Sequence, residues 1–80
     1  MLRRRRERYG RIITEEMGKL YKESVAEVDK CAWVCEYYAD EGPGFLADEP
    51  VDSDAARSLV AWQPIGTVLA VMPWNFPFWQ

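Results

Sequence analysis

Apolar residues in the first half of the chain recur at spacings of three and four. Tyr9, Ile12, Ile13 and Met17 form one series, and Tyr21, Val25, Val28, Ala32, Cys35, Tyr38 and Ala39 form a second. Each series lines one face of a helix with 3.6 residues per turn, so the pattern predicts two consecutive helices. Gly18 is the expected stop of the first, because a residue without Cβ enters the left-handed cap conformation cheaply, and Lys19 offsets the negative end of the helix dipole. Ser24 has the chemistry of a cap inside the second series, which leaves the start of that helix open by a few residues. Its end is expected near Glu41, because Gly42-Pro43-Gly44 breaks a helix. Phe45-Leu46-Ala47 then reads as a short helical turn, and Asp48 to Asp54 as a polar loop.

After Ala56 the period changes from helical to alternating. Ser58, Val60 and Trp62 alternate with Leu59, Ala61 and Gln63, which suits a strand with two different faces. Pro64 and Gly66 end or bend it. The next segment, Thr67 to Met72, is apolar throughout and rich in β-formers, the pattern of a strand buried on both faces in a parallel sheet covered by helices. The expected class is therefore α/β. Sheets of this kind bind ligands at the carboxyl ends of their strands, and this end is Pro73-Trp74-Asn75.

The run from Val71 to Trp79 carries two prolines that bracket an asparagine. An amide between Trp74 and Phe76 has two donors and an acceptor to satisfy, so it needs backbone or a ligand as partner. Asparagine is also a favoured N-cap, and capping the following turn is the competing reading for Asn75. An apolar tail of this kind marks an interface or a missing piece of core. A chain of 80 residues buries only about 60–65% of its unfolded surface and is marginally stable without a staple. No staple is visible, and the chain reads as part of a larger body.

Charge is divided along the chain. Residues 1 to 22 carry eight basic and three acidic side chains, and residues 23 to 80 carry two basic and ten acidic, for a net −3. Arg3 to Arg6 are followed at once by Glu7, Glu15 and Glu16 with no interleaved aromatic platform, which argues against nucleic-acid binding and for the solvated start of a helix. An organellar presequence should be Ser-rich and poor in acids, and this stretch is neither. No apolar stretch approaches the roughly 20 residues that span a bilayer, and no secretory core follows Met1. The expectation is a soluble cytoplasmic protein with no nucleic-acid or membrane partner.

Cys31 and Cys35 sit one helical turn apart and read as small buried hydrophobes. The chain has no histidine, so a metal site would lack ligands and none is expected. A disulfide across one helical turn would be strained. Glu15, Glu16, Glu23, Glu27 and Glu36 fall on helical segments, where charge usually forms a solvated face.

The segment from Gln63 to Pro77, Gln-Pro-Ile-Gly-Thr-Val-Leu-Ala-Val-Met-Pro-Trp-Asn-Phe-Pro, resembles the first strand of the cofactor domain in the aldehyde dehydrogenase superfamily, with its Pro-Trp-Asn-Phe-Pro signature. Glu16-Met17-Gly18-Lys19 is similar to the family's Glu-x-Gly-Lys-Pro turn between two N-terminal helices, with Leu20 where the family usually has proline. Glu27-Val28 and Tyr37-Tyr38-Ala39 resemble the helix after it. The match runs from about Arg8 to Gln80, and the ending from Met72 is most similar to the branch that oxidises succinate semialdehyde and related short aldehydes.

The resemblance implies an incomplete α/β architecture, N-terminal helices plus the first strands of a Rossmann-type cofactor domain. Residues 1–55 would form an N-terminal helical segment, 56–66 a linking strand and turn, and 67–80 the first strand and start of the dinucleotide-binding domain. In this family a cysteine thiolate attacks the aldehyde to give a thiohemiacetal, hydride passes to NAD or NADP, and a glutamate-activated water releases the acid. The resemblance places that cysteine and that glutamate beyond Gln80, so neither Cys31 nor Cys35 is the nucleophile and the 80 residues alone are expected to be inactive. Asn75 would be the oxyanion-hole donor, and Met72, Pro73, Trp74 and Asn75 would line the coenzyme cleft. An amide suits that role because it donates without titrating. Full-length relatives are expected to be homo-oligomers. The alternative from the residues themselves is a non-catalytic helical interaction module, docking through Trp74 to Trp79, or the product of a degenerate truncated gene.

Overall fold

Two helices packed side by side carry the fold. The computed structural model describes all residues from Met1 to Gln80. A single 3-10 turn, Arg3–Arg5, leads into α1 (Arg6–Met17), which a short link joins to α2 (Tyr21–Phe45). Gly18 takes the left-handed conformation at φ 77° and its N–H donates to Thr14 O at 2.9 Å, the expected stop. Leu20 has φ −55° and ψ 130°, with φ inside the range that a proline ring fixes.

Contacts between the helical segments pair early residues of one with late residues of the other, which makes the hairpin antiparallel. Thr14 Oγ1 lies 3.0 Å from Ser24 Oγ, Arg6 Nη1 3.3 Å from Asp29 Oδ2, and Arg3 Nη2 2.6 Å from Glu36 Oε2. The Glu36 carboxyl is held below the usual carboxylate range by the hydrogen bond from Arg3. The core is small: Ile13, Val28, Cys31 and Ala32, with Gly10, Ser24 and Glu27 buried beside them.

The face that α2 buries differs from the predicted one. Ser24, Glu27, Val28, Cys31 and Ala32 are buried, a set spaced at 0, 3, 4, 7 and 8 along the helix. Tyr21, Cys35, Tyr38 and Ala39 are exposed. The buried stripe is thus rotated towards Ser24 and Glu27, and the expectation of a buried Cys35 is corrected. The expectation of a solvated Glu27 is corrected as well. On α1, Ile13 is buried while Ile12 is exposed.

α2 also outruns the predicted stop at Glu41 and continues to Phe45 with Pro43 inside it. The residue before a proline is normally kept from helical backbone by clashes of the proline ring with its N–H and its Cβ. Gly42 has no Cβ, and this relieves part of the clash. Phe45 then packs its ring 6.2 Å from Tyr37 and 6.3 Å from Tyr38, tying the last turns together.

Beyond the helices the chain is extended. β1 (Glu49–Pro50) and β2 (Leu59–Val60) form a short antiparallel pair, with Glu49 opposite Val60 and Pro50 opposite Leu59. The strand expected from Ser58 to Gln63 is therefore two residues long, and part of the expected loop at Asp48 to Asp54 is its partner. Gly66 has φ 124°, a backbone open to glycine. Thr67 to Met72 bonds no neighbour and carries no assigned strand. A strand is stabilised through its ladder, and no second segment of these residues lies alongside to supply one.

Candidate functional site

The carboxyl end of that extended run turns back onto the helices. Turns at Trp74–Asn75 and Pro77–Trp79 come after Pro73, and the Gln80 N–H donates to Phe76 O at 3.2 Å. The aromatic residues after Asn75 are then seated one by one on the hairpin. Lys19 Nζ sits 3.7 Å from the centroid of the Phe76 ring, the Phe78 ring lies 5.8 Å from that of Tyr9, and Lys30 Nζ sits 3.7 Å from the Trp79 ring. Lysine over an aromatic face is electrostatically favourable, more so where water is excluded.

The strongest tie is polar. Glu27 Oε1 accepts the Phe78 N–H at 3.0 Å and the Trp79 N–H at 3.2 Å, while Glu27 Oε2 accepts from Lys19 Nζ at 2.5 Å. The side chains of Glu27 and Lys19 are only 2% and 10% exposed. A carboxylate at that depth is costly unless paired, and here both oxygens have partners. Two backbone donors of the turn, unsatisfied by the chain's local structure, are satisfied together.

This arrangement decides how Asn75 is used within the chain. As an N-cap its side chain would accept from the N–H two or three residues on. Pro77 has no N–H, and that of Phe78 is taken by Glu27. Asn75 is exposed, and its side-chain N–H groups donate to no other residue of the chain. Met72, Pro73 and Trp74 are exposed beside it, Trp74 to 74%. The four predicted site residues are consecutive in the chain and all exposed, and none of them takes part in the contacts that hold Phe76, Phe78 and Trp79.

The remaining candidates fall elsewhere. Cys31 is buried and Cys35 exposed, both as free thiols; burial, and next the nearby Glu27 charge, push the Cys31 thiol up. No cluster of three or more Cys, Asp or Glu side chains is arranged to hold a metal ion. No helix is long and apolar enough to cross a membrane. Glu27 and Lys19 are the residues that sequence reasoning missed in this region. The signal for Glu27 was its position, inside the 0, 3, 4, 7, 8 spacing of the buried face rather than opposite it.

Comparison with known proteins agrees with the resemblance carried by these residues. A probable succinate-semialdehyde dehydrogenase [NADP(+)] from Synechocystis sp. is 54% identical over 80 residues, which is 100% of this chain and 18% of that protein. A succinate semialdehyde dehydrogenase [NAD(P)+] from Escherichia coli is 46% identical over 79 residues, 99% of this chain and 17% of that protein. The crystal structure of succinic semialdehyde dehydrogenase from Streptococcus pyogenes in complex with NADP+ superposes with a TM-score of 0.89 at 45% identity, covering 98% of this chain and 17% of that one. The chain therefore spans less than a fifth of the length of the relatives it matches. The family model for the aldehyde dehydrogenase family matches residues 1–80 in full, and the chain belongs to that family.

Proposed function

We propose that these residues form the N-terminal segment of an NAD(P)-dependent aldehyde dehydrogenase that oxidises succinate semialdehyde or a related short aldehyde to the acid. The names of the relatives favour NADP+ as coenzyme. The observation that carries the reading is that Asn75 is exposed and does not cap: Glu27 has taken the Phe78 N–H that the Asn75 side-chain carbonyl oxygen would accept, which leaves the amide without a structural use inside the chain.

In that role the Asn75 side-chain N–H donates to the aldehyde oxygen as negative charge develops on it. One preorganised donor of this kind is typically worth about 3–4 kcal/mol of barrier. Pro73 and Pro77 restrict the backbone on both sides, which limits the freedom lost in holding the amide still. The exposed Trp74 indole, with the backbone of Met72 and Pro73, offers an apolar wall with unpaired backbone groups, a surface suited to a dinucleotide. When bound, the coenzyme accepts the hydride. The division into 1–55, 56–66 and 67–80 belongs to the same reading, as do a cytoplasmic location, a homo-oligomeric full-length enzyme, and the lack of nucleic-acid or membrane partners. The alternative, an interaction module docking through Trp74 to Trp79, is disfavoured because Phe76, Phe78 and Trp79 are already engaged by the hairpin.

The test is a fusion in which residues 1–80 replace the matching segment of the Synechocystis relative. Succinate-semialdehyde-dependent NADPH formation is expected, and Asn75→Ala should lower kcat about 100- to 1000-fold. An unchanged kcat in that variant would remove the oxyanion role. The 80-residue polypeptide alone is expected to form no NADPH.

A further inference from the structure

We propose that Glu27, clamped by Lys19, is a positioning residue for Asn75, fixing the turn from which the catalytic amide projects. The proposal rests on the oxyanion role of Asn75. Asn75 itself makes no hydrogen bond to either helix, and the part of the chain beside it that the hairpin does hold is the one that follows. Three of the next four are held: Phe76 by Lys19, and Phe78 and Trp79 by Glu27. The ion pair therefore grips the turn twice, once through each partner.

The chemistry of the pair argues for this use over plain packing. A buried ion pair is often replaceable by well-packed apolar residues with no loss of stability, so burial alone does not explain it. What an apolar pair cannot do is accept hydrogen bonds from two backbone N–H groups on one oxygen while the second oxygen is anchored to a cation. Hydrogen bonds to an ionised acceptor are about twice as strong as neutral ones and directional. Glu27 is no general base in this arrangement, because both of its oxygens are engaged. Its effect passes through the backbone, and misplacement of a reacting group by about 1 Å can cost about 100-fold in rate.

The Glu27→Gln variant of the fusion enzyme keeps the size of the side chain and removes its charge. Its kcat per folded enzyme should fall between about 10- and 100-fold. In an Asn75→Ala background the same substitution should lower kcat no further, because the group it positions is gone. An equal fall in both backgrounds, or a loss of thermal stability with kcat per folded enzyme intact, would overturn the proposal in favour of a structural role. A slow Asn75→Ala with a normal Glu27→Gln sinks the Glu27 proposal alone, whereas a normal Asn75→Ala sinks the oxyanion reading and this one with it. Unchanged hydrogen exchange at the Phe78 and Trp79 amides in Glu27→Leu, which leaves no acceptor there, would also refute the proposal.

Discussion

Gly10 lies against Val25 at a distance that admits no side chain. A Cβ placed on Gly10 would stand 2.7 Å from Val25 Cγ2, 3.0 Å from Val25 N and 3.2 Å from Val25 Cα. Two of those three atoms are backbone, so a rotamer change of Val25 does not make room. Gly10→Ala would gain about 1 kcal/mol of helix propensity, but forcing the helices apart costs about 1–3 kcal/mol and perturbs the contacts on either side. The variant is expected to show a lower urea midpoint than the parent. A variant as stable as the parent would mean that the helices are not in contact here.

The helix pair also shows how much of the fold was legible in the sequence. Spacing of apolar residues reported two helices and Gly18 reported the link, because both signals are local. The rotation of the buried face was hidden because Ser24 and Glu27 are polar, and only their partners, Thr14 and the Phe78–Trp79 backbone, make them interior residues. Pro43 misled for a local reason too: the breaking effect of proline acts partly on the preceding Cβ, and Gly42 has none. The motif marked Met72 to Asn75 because it is contiguous in the chain. The anchoring of the turn by a residue 51 positions earlier was not marked, since nothing in a linear pattern reports such a contact.

Leu20 already has proline's backbone, with φ −55°, it is 69% exposed, and no backbone hydrogen bond from its N–H is present. Leu20→Pro therefore restricts the unfolded chain at little cost to the folded one. It is expected to raise stability by about 0.4–1 kcal/mol, read as an upward shift in Tm. A fall in Tm would show that the link needs freedom that the observed φ does not reveal.

Removing one partner of the buried ion pair leaves the other charge stranded. Lys19→Met should destabilise the chain by about 3–5 kcal/mol, because Glu27 stays buried without its cation. Adding Glu27→Gln to that variant should recover part of the loss, since no uncompensated charge remains. Chemical denaturation of the two variants checks the order. If the double variant is the less stable of the two, the negative charge on Glu27 strengthens the Phe78 and Trp79 hydrogen bonds by more than its unpaired burial costs.

Cys31 and Cys35 should part company in reactivity. Cys35 is exposed and Cys31 is buried with its thiol pushed up, so alkylation followed by mass spectrometry should find Cys35 modified first. The folded state also holds the Cys31 proton to higher pH than the unfolded state does. Stability from this source is complete below the ordinary thiol range of about 8.5, and it is lost as pH rises through the raised folded value. The urea midpoint should fall over that alkaline range, and Cys31→Ala should flatten the fall. An identical slope in the variant would assign the pH dependence to other groups.

Thr67 to Met72 carries opposite expectations in two settings. In the 80-residue polypeptide Val68, Leu69 and Val71 are 75%, 89% and 85% exposed on an extended backbone with free donors and acceptors, which is a template for pairing with another copy. The polypeptide should associate as its concentration rises, and Leu69→Lys should suppress that, as a charge on an exposed strand does. In the fusion enzyme the same segment is expected to enter a sheet covered on both faces, where a lysine would be buried without a partner. Leu69→Lys should then lower Tm and soluble yield. Light scattering on the polypeptide and thermal melts on the fusion measure the two effects. A substitution that helps both, or harms both, would mean that Thr67 to Met72 does not pass from an exposed arm to a buried strand.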